Sequence, residues 1–459
     1  MSFEPRSDAI VVFGVTGDLV HKEIFPALFG LVRDNHISMP IVGVARSAWT
    51  HPQLVARAKD SIEKHGTFEQ QTFDRLAGML QFVQGDYHAP ETFRRICEAL
   101  QGAKNPLFYM AIPPSVFPEV TKAIALSVCR EGARVVVEKP FGRDLASARE
   151  LNRTLHEYFP ETAIFRIDHF LGKEAVQNIT YTRFANPFLE PIWNRNHIRG
   201  IQITMAEDFG VFNRGGFYEE AGALRDVVQN HLFQILSVVC MDPPGIGVPD
   251  AYRLEKARFL KSIRPLDPSD LVRGQFRGYR SAPGVAQDST VETYCALRLC
   301  IDNWRWADVP VYIRTGKELP VTCTEVFVEF KRPPRETFGE AVPGRSCHVR
   351  MRISPDIIIA LGLRIKVAGD RMTGEDVELM VTSRAGAHIS PYERLLGDAM
   401  EGRQELFASE ESVEVSWKIV DPVLGDVTPV HMYDPGSWGP AEAERLIGED
   451  GPWINPSLK

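Results

Sequence analysis

The sequence has no run approaching the ~20 consecutive apolar residues that a membrane-spanning helix needs. Its opening, MSFEPRSDAIVVFG, has no basic stretch followed by an apolar core and a small-residue cleavage site, so a secretory leader is not expected. Cysteine is scarce. There are seven in 459 residues (Cys97, Cys129, Cys240, Cys295, Cys300, Cys323 and Cys347), an odd number with no C-x-x-C pair. That argues against a dense disulfide framework and against a zinc site. The expectation is reduced thiols in a cytoplasmic protein without a metal. A strong charge of either sign is also missing: 52 basic against 60 acidic residues give a formal net charge of −8. Such mild acidity argues against a general nucleic-acid or membrane-surface binder and says nothing against a local basic pocket for an anionic metabolite. Internal repeats and low-complexity tracts are not apparent.

What is present is an ordinary globular mixture, 44% hydrophobic and 24% charged, in a chain of a length that suggests about two or three domains. Short apolar runs punctuate the first third: AIVVFG (9–14), PIVGVA (40–45), LFYMAI (107–112), RVVVEK (134–139) and AIFRID (163–168). Amphipathic segments at 18–33, 51–65, 90–102, 114–128 and 144–157 lie between several of them. This alternation predicts a parallel sheet covered on both faces. After residue 168 the pattern changes. A long, largely apolar helix is expected over 217–241. Strand candidates then crowd together at 200–206, 292–301, 309–315, 324–331, 348–354, 362–368 and 377–383, and helices return at 391–401 and 410–419. The expected architecture is an α/β Rossmann dinucleotide-binding domain over 1–168, followed by an α+β domain with a large, mostly antiparallel sheet over 169–459. The tail from Asp434, rich in glycine and proline, reads as loop.

VVFGVTGDLVHK places Gly14 and Gly17 in a turn between a strand and a helix. Glycines there admit a pyrophosphate close to backbone N–H groups, and the helix N-terminus favours its charge. The full G-x-G-x-x-G fingerprint is absent, so the turn alone is a weak signal. The second strand ends in Arg46 rather than in the acidic residue that would hold a ribose 2′-hydroxyl. A guanidinium there suits a 2′-phosphate, which favours NADP over NAD; an ordinary surface arginine is the other reading. Glu138-Lys139-Pro140 closes a further strand, putting Lys139 at the crevice where a nicotinamide would lie.

RIDHFLGKEAVQNI (166–179) offers Asp168, His169 and Lys173. On a helix beginning near His169, that residue and Lys173 would share one face. An imidazole beside an ammonium makes a poor structural pair and a good anion clamp. The alternative is a capping aspartate with two solvated neighbours. ALRDVVQNHLFQIL (223–236) sets Asp226, Asn230 and His231 in an otherwise apolar helix, where buried polar groups must find partners. A lone histidine there would read as a satisfied core residue. Glu207 (MAEDFG) and Lys317 (RTGKELP) follow strand candidates. Oxidising a carbinol with a nicotinamide cofactor needs a base for the hydroxyl proton, and imidazole titrates near neutrality. A carboxylate that fixes its tautomer completes such a pair.

GVTGDL, VVVEKPFGRDL, RIDHFLGKEAVQN, RDVVQNHLFQ and SPYERLLGDAMEG, in this order, resemble the glucose-6-phosphate dehydrogenase family from about residue 8 to 420. The resemblance implies oxidation of glucose 6-phosphate at C1 to the 6-phosphoglucono-lactone with NADP as hydride acceptor. By motif position it implies His231 as general base and Asp168 as its carboxylate partner. It also implies that His169 and Lys173 hold the phosphate, and that Glu207 and Asp226 bind sugar hydroxyls. Lys139 then lies near the reacting carbon and the nicotinamide, and Lys317 lines the sugar site. Cofactor binding is placed at Gly14, Thr16, Gly17, Asp18, Leu19, Arg46 and Lys139. A homodimer or homotetramer is implied.

Four positions depart from the family pattern. Phe170 stands where a tyrosine hydroxyl usually helps to hold phosphate, a contact worth about 1.5–3 kcal/mol when it reaches a charged group. Glu23 replaces a basic residue, with Lys22 one position earlier and about 100° around a helix. Thr322 aligns with a lysine or arginine, and Ser354 with a glutamine. All four bear on substrate recognition. Two readings fit: a divergent glucose-6-phosphate dehydrogenase that replaces the lost contacts, or a dehydrogenase of a related sugar or sugar phosphate. A catalytically silent paralogue is a third, disfavoured by the presence of both Asp168 and His231.

Overall fold

The computed structural model describes residues 5–248, 250–335, 337–338, 346–382 and 389–458. They divide into two compact units. The first takes the described residues of Met1–Lys173, Pro244–Leu254 and Ala387–Glu414; the second takes those of Glu174–Pro243, Glu255–Gly386 and Val415–Lys459. A single boundary at residue 168 therefore misses two later segments that return to the first unit. No helix among the described residues is long and apolar enough to cross a membrane.

The first unit is built on six parallel strands: β1 (Ala9–Phe13), β2 (Ile41–Ala45), β3 (Leu80–Gln84), β4 (Pro106–Met110), β5 (Arg134–Glu138) and β6 (Ile164–Ile167). Their order, β3-β2-β1-β4-β5-β6, is that of the doubly wound dinucleotide fold. All residues of β1, β2, β4 and β5 are buried. This explains why those strands read as unbroken apolar runs: both faces are covered. β3 was not anticipated. It is an edge strand with two of its five residues buried, so LQFVQ carries no long apolar run. The neighbouring helix Gln70–Met79 was missed for the same reason, with Thr72, Phe73 and Leu76 its only fully buried residues. The returning helix Pro391–Glu401 packs Tyr392, Leu395, Leu396, Ala399 and Met400 into the same core as Leu28, Leu31 and Val32.

The described residues of the second unit form nine strands: β7 (Ile198–Ala206), β8 (Leu271–Phe276), β9 (Tyr294–Leu299), β10 (Val311–Gly316), β11 (Cys323–Phe330), β12 (His348–Ser354), β13 (Ile358–Lys366), β14 (Gly374–Thr382) and β15 (Val430–Tyr433). The order is β14-β13-β12-β11-β7-β10-β9-β8-β15, and pairing is antiparallel except for β7 with β10 and β8 with β15. The strand expected to run through residue 383 ends at Thr382, and residue 383 lies outside the described residues. β8 escaped the sequence reading because LVRGQF looks half polar, yet every residue of it is buried. Arg273 is accommodated there by an ion pair with Glu292 at 3.2 Å and by donating to the carbonyls of Thr290 and Thr428. The tail is mostly loop, interrupted by the short α-helix Glu444–Ile447 with a 3-10 turn on either side, Ala441–Ala443 and Gly448–Asp450.

Two further expectations are corrected. The helix expected over 217–241 is broken. Gly222 adopts φ 64°, ψ 174°, after which Leu224–Leu232 winds as a π-helix and Phe233–Cys240 as an α-helix. Nor are all seven thiols reduced: Cys97 and Cys129 form a disulfide, with Cα atoms 5.6 Å apart. They are 32 residues apart in sequence, so no local spacing betrays the pair. The other five cysteines are free.

Candidate functional site

Parallel strands deliver their following residues to one edge of the sheet. In the first unit, Glu138 on β5 faces Ile167 on β6 in register, so Lys139 and Asp168 emerge side by side at the carboxyl end. Gly14 and Arg46 follow β1 and β2 at the same end. The sequence-predicted cofactor and phosphate residues of this unit thus converge on one edge, where open α/β sheets bind ligands.

Gly14 has φ 72°, and a Cβ there would lie 2.1 Å from the Ala111 carbonyl oxygen, so only glycine fits. Its amide donates to the Val44 carbonyl at 2.9 Å and to the Tyr87 hydroxyl at 3.0 Å. The turn closes as the Gly17 amide donates to the Gly14 carbonyl at 2.8 Å, and helix follows from Asp18 to Arg33. Gly17 and Asp18 are exposed, Thr16 and Leu19 half-buried, and Arg46 is exposed at the end of β2. A glycine cradle before a helix N-terminus, flanked by a guanidinium, fits a dinucleotide phosphate. Arg57, which the sequence reading did not single out, reaches Asp18 at 3.8 Å and adds a second cation beside this turn.

The stretch after β6 is not the helix that the His169–Lys173 spacing suggested. Residues 169–172 form turns, and helix begins at Glu174. The turns are held by amide donation from Leu171 to Asp168, Gly172 to His169 and Lys173 to Phe170, while Asp168 Oδ1 accepts the Phe170 amide at 3.0 Å. His169 and Lys173 flank the Phe170 ring instead of stacking along a helix: the imidazole centroid lies 5.0 Å from it and Lys173 Nζ 3.6 Å. Burial pushes the Lys173 ammonium down to about 8, against the opposing pull of Asp168. Phe170 is buried, so its ring is a platform for the lysine cation.

In the second unit, Gly316 of β10 lies opposite Ala206 of β7 in the parallel pair. Lys317 and Glu207 therefore leave neighbouring strands together, and Lys317 Nζ meets Glu207 Oε2 at 2.6 Å. The rings of Phe209 and Tyr218 lie 5.2 and 5.1 Å from the same ammonium. Burial first, then the charges of Asp226, Glu207 and Glu292, hold the Tyr218 phenol well above its usual range. Tyr218 thus joins Glu207, Asp226 and Lys317 in one polar cluster. The sequence reading passed over it because FYEEAG looked like the start of a plain helix. Asp226 and His231 both ride on the π-helix, His231 buried and Asp226 half-buried. Asn230 anchors this stretch, donating to the Arg225 carbonyl at 2.9 Å and accepting the His231 amide at 2.7 Å.

The departures find local roles. The Thr322 hydroxyl donates to Asp208 and accepts its amide at 3.0 Å, pinning the residue after Glu207. Lys22 is exposed while Glu23 is half-buried and its charge is felt by Tyr109 and Tyr392. Burial raises the Glu23 carboxyl above its usual range, with Lys22 opposing. Ser354 ends β12 opposite Thr324.

Residues 11–178 match the family model described as glucose-6-phosphate dehydrogenase, NAD binding domain, and residues 180–454 the model of its C-terminal domain. The chain is 44% identical over 456 residues to glucose-6-phosphate 1-dehydrogenase 1 of Mycobacterium tuberculosis, covering 98% of this chain and 97% of that protein. Glucose-6-phosphate 1-dehydrogenase 6, cytoplasmic, of Arabidopsis thaliana is 36% identical over 485 residues, covering 98% and 94%. A crystal structure of the Mycobacterium avium glucose-6-phosphate 1-dehydrogenase superposes with a TM-score of 0.93 at 44% identity, covering 99% of this chain and all of that one. A glucose-6-phosphate dehydrogenase in complex with its substrate glucose 6-phosphate gives 0.92 at 32% identity, covering 99% and 100%. With both halves of its fold and nearly its whole length matched, the chain belongs to the glucose-6-phosphate dehydrogenase family of NADP-dependent oxidoreductases.

Proposed function

We propose that the chain oxidises D-glucose 6-phosphate to 6-phospho-D-glucono-1,5-lactone in the cytoplasm, as a homodimer or homotetramer, at the first step of the pentose phosphate pathway. The supporting observation is the turn after β6, where His169 and Lys173 flank Phe170 beside Lys139, at the sheet edge that carries the Gly14 turn. His169 and Lys173 hold the phosphate. Glu207 and Asp226 accept hydrogen bonds from sugar hydroxyls, and Lys317 lines the sugar site, its charge held in place by Glu207. His231 takes the proton of the C1 hydroxyl as the C1–O bond becomes a carbonyl, and Asp168 orients and stabilises the imidazolium. NADP, when bound, supplies the acceptor for the hydride that leaves C1. Gly14, Thr16, Gly17, Asp18 and Leu19 cradle its pyrophosphate, Arg46 holds its 2′-phosphate, and Lys139 stands by the nicotinamide. The first unit serves as the cofactor domain and the second as the substrate and oligomerisation domain.

His231→Ala should lower kcat by about 10²–10⁴-fold, the usual worth of a general base, with NADP affinity unchanged in a fluorescence titration. Turnover at the wild-type rate would remove His231 from this role. A related sugar phosphate is the second reading, favoured by the apolar Phe170 in the phosphate turn.

A further inference from the structure

SPYERLLGDAMEG resembles the family, yet none of its residues has a place in the chemistry above. Its helix, Pro391–Glu401, begins against the phosphate turn. Ser390 caps it, accepting the Glu393 amide at 3.1 Å. A Cβ on Gly172 would lie 2.7 Å from the Pro391 carbonyl oxygen, so turn and helix meet with no room between them. One residue on, the Tyr392 ring lies nearly parallel to the His169 imidazole, 12° apart in plane with centroids at 6.0 Å. That is an offset stack rather than an edge contact.

At the other end of Tyr392, burial first, then the charge of Glu138, the last residue of β5, holds its phenol well above the usual range, so the hydroxyl end stands near that carboxyl. Tyr109 of β4 donates to the same carboxyl. Glu138 and Tyr392 are 8% and 7% exposed and Tyr109 is fully buried, so this polar chain is sheltered from water. Lys139, Asp168 and Glu23 are the other charged groups felt along it. The stack therefore sets the plane of the His169 ring.

We propose that Tyr392, buried beside Glu138 and stacked on His169, is a positioning residue that sets how tightly the substrate phosphate is held. This rests on the reading of His169 as a phosphate ligand. The effect of Tyr392 is confined to the affinity for phosphate, leaving the chemical step alone.

The test uses the full-length enzyme and four variants, His169→Ala, Tyr392→Phe, Tyr392→Leu and the double variant His169→Ala/Tyr392→Phe. The readouts are kcat, KM for glucose 6-phosphate, KM for NADP, and the competitive Ki of inorganic phosphate. Tyr392→Phe keeps the ring and loses the hydroxyl near Glu138, so KM and the phosphate Ki should rise together by about three- to tenfold, with kcat and the NADP KM within twofold. Tyr392→Leu loses the stack as well and should raise both constants further. In the His169→Ala background, Tyr392→Phe should add nothing. If His169→Ala weakens phosphate while both Tyr392 variants leave KM and Ki unchanged, the positioning role is refuted and the clamp survives. Equal losses in kcat and in NADP binding for the Tyr392 variants would mark a merely structural tyrosine and also refute it. If His169→Ala itself leaves KM and Ki unchanged, the clamp fails and this proposal with it.

Discussion

Phe170 carries the clearest single-residue expectation. Its ring is buried with the Lys173 ammonium 3.6 Å from its centroid. A hydroxyl on that ring could donate to a phosphate held by the same turn, and one such bond contributes about 1.5–3 kcal/mol. Phe170→Tyr should lower KM for glucose 6-phosphate by roughly tenfold or more at unchanged kcat, measured under initial-rate conditions. No improvement would mean that the turn recognises its anion through a different set of contacts. Lys173 sets a pH limit. Burial holds its folded-state value at about 8, below the ordinary lysine value. Free enzyme loses this cation as pH rises through about 8, so kcat/KM for glucose 6-phosphate should fall on that alkaline limb. Lys173→Arg should move the limb upward, because a guanidinium stays charged far beyond it. For stability the sign is opposite. Between pH 8 and the unfolded lysine value the unfolded chain binds more protons, so this group's cost to folding lessens as pH rises. The residue types were legible in sequence here, and their geometry was not. Hydrogen bonds such as Phe170 N–H to Asp168 close turns where spacing alone suggested a helix.

Among elements, the helical stretch carrying Asp226 and His231 depends on its break. Gly222 has φ 64°, ψ 174°, a region reserved almost wholly for glycine, and a Cβ would lie 2.4 Å from Glu292 Oε1. The same oxygen accepts the Leu224 amide at 3.2 Å where the π-helix starts. Gly222→Ala should destabilise the fold by about 1–3 kcal/mol and lower kcat, read by thermal melts and initial rates, while NADP affinity is kept. The sequence hid this break because an isolated glycine in an apolar helical pattern reads as tolerated. The five strands it did reveal in the first unit are those with apolar side chains on both faces. It hid β3, whose edge position leaves it partly polar, and β8, whose buried arginine is neutralised by residues distant in sequence. Partners 19 or more positions away, like Glu292 for Arg273, leave no periodic trace. The Cys97–Cys129 bond is hidden in the same way.

At the scale of the whole molecule, family membership and fold rest on matches along nearly the full chain, whereas the choice of sugar rests on a handful of side chains. Those side chains divide by origin. Lys139, His169, Lys173 and the Gly14 turn belong to the first unit, and Glu207, Asp226, His231 and Lys317 to the second. The motifs were legible because catalysis and anion binding restrict residue type at fixed positions. The supporting contacts of Tyr392, Glu138, Tyr218 and Thr322 were not, because only the fold brings them to those positions. The deciding measurement is a kinetic matrix of the purified full-length chain, with NADP or NAD against glucose 6-phosphate or glucose. Two cations on the phosphate, each worth about 1.5–3 kcal/mol, predict the highest kcat/KM for NADP with glucose 6-phosphate, on the order of 100-fold or more above glucose. Failure to reduce either cofactor with glucose 6-phosphate, or equal turnover of unphosphorylated glucose, would contradict the assignment.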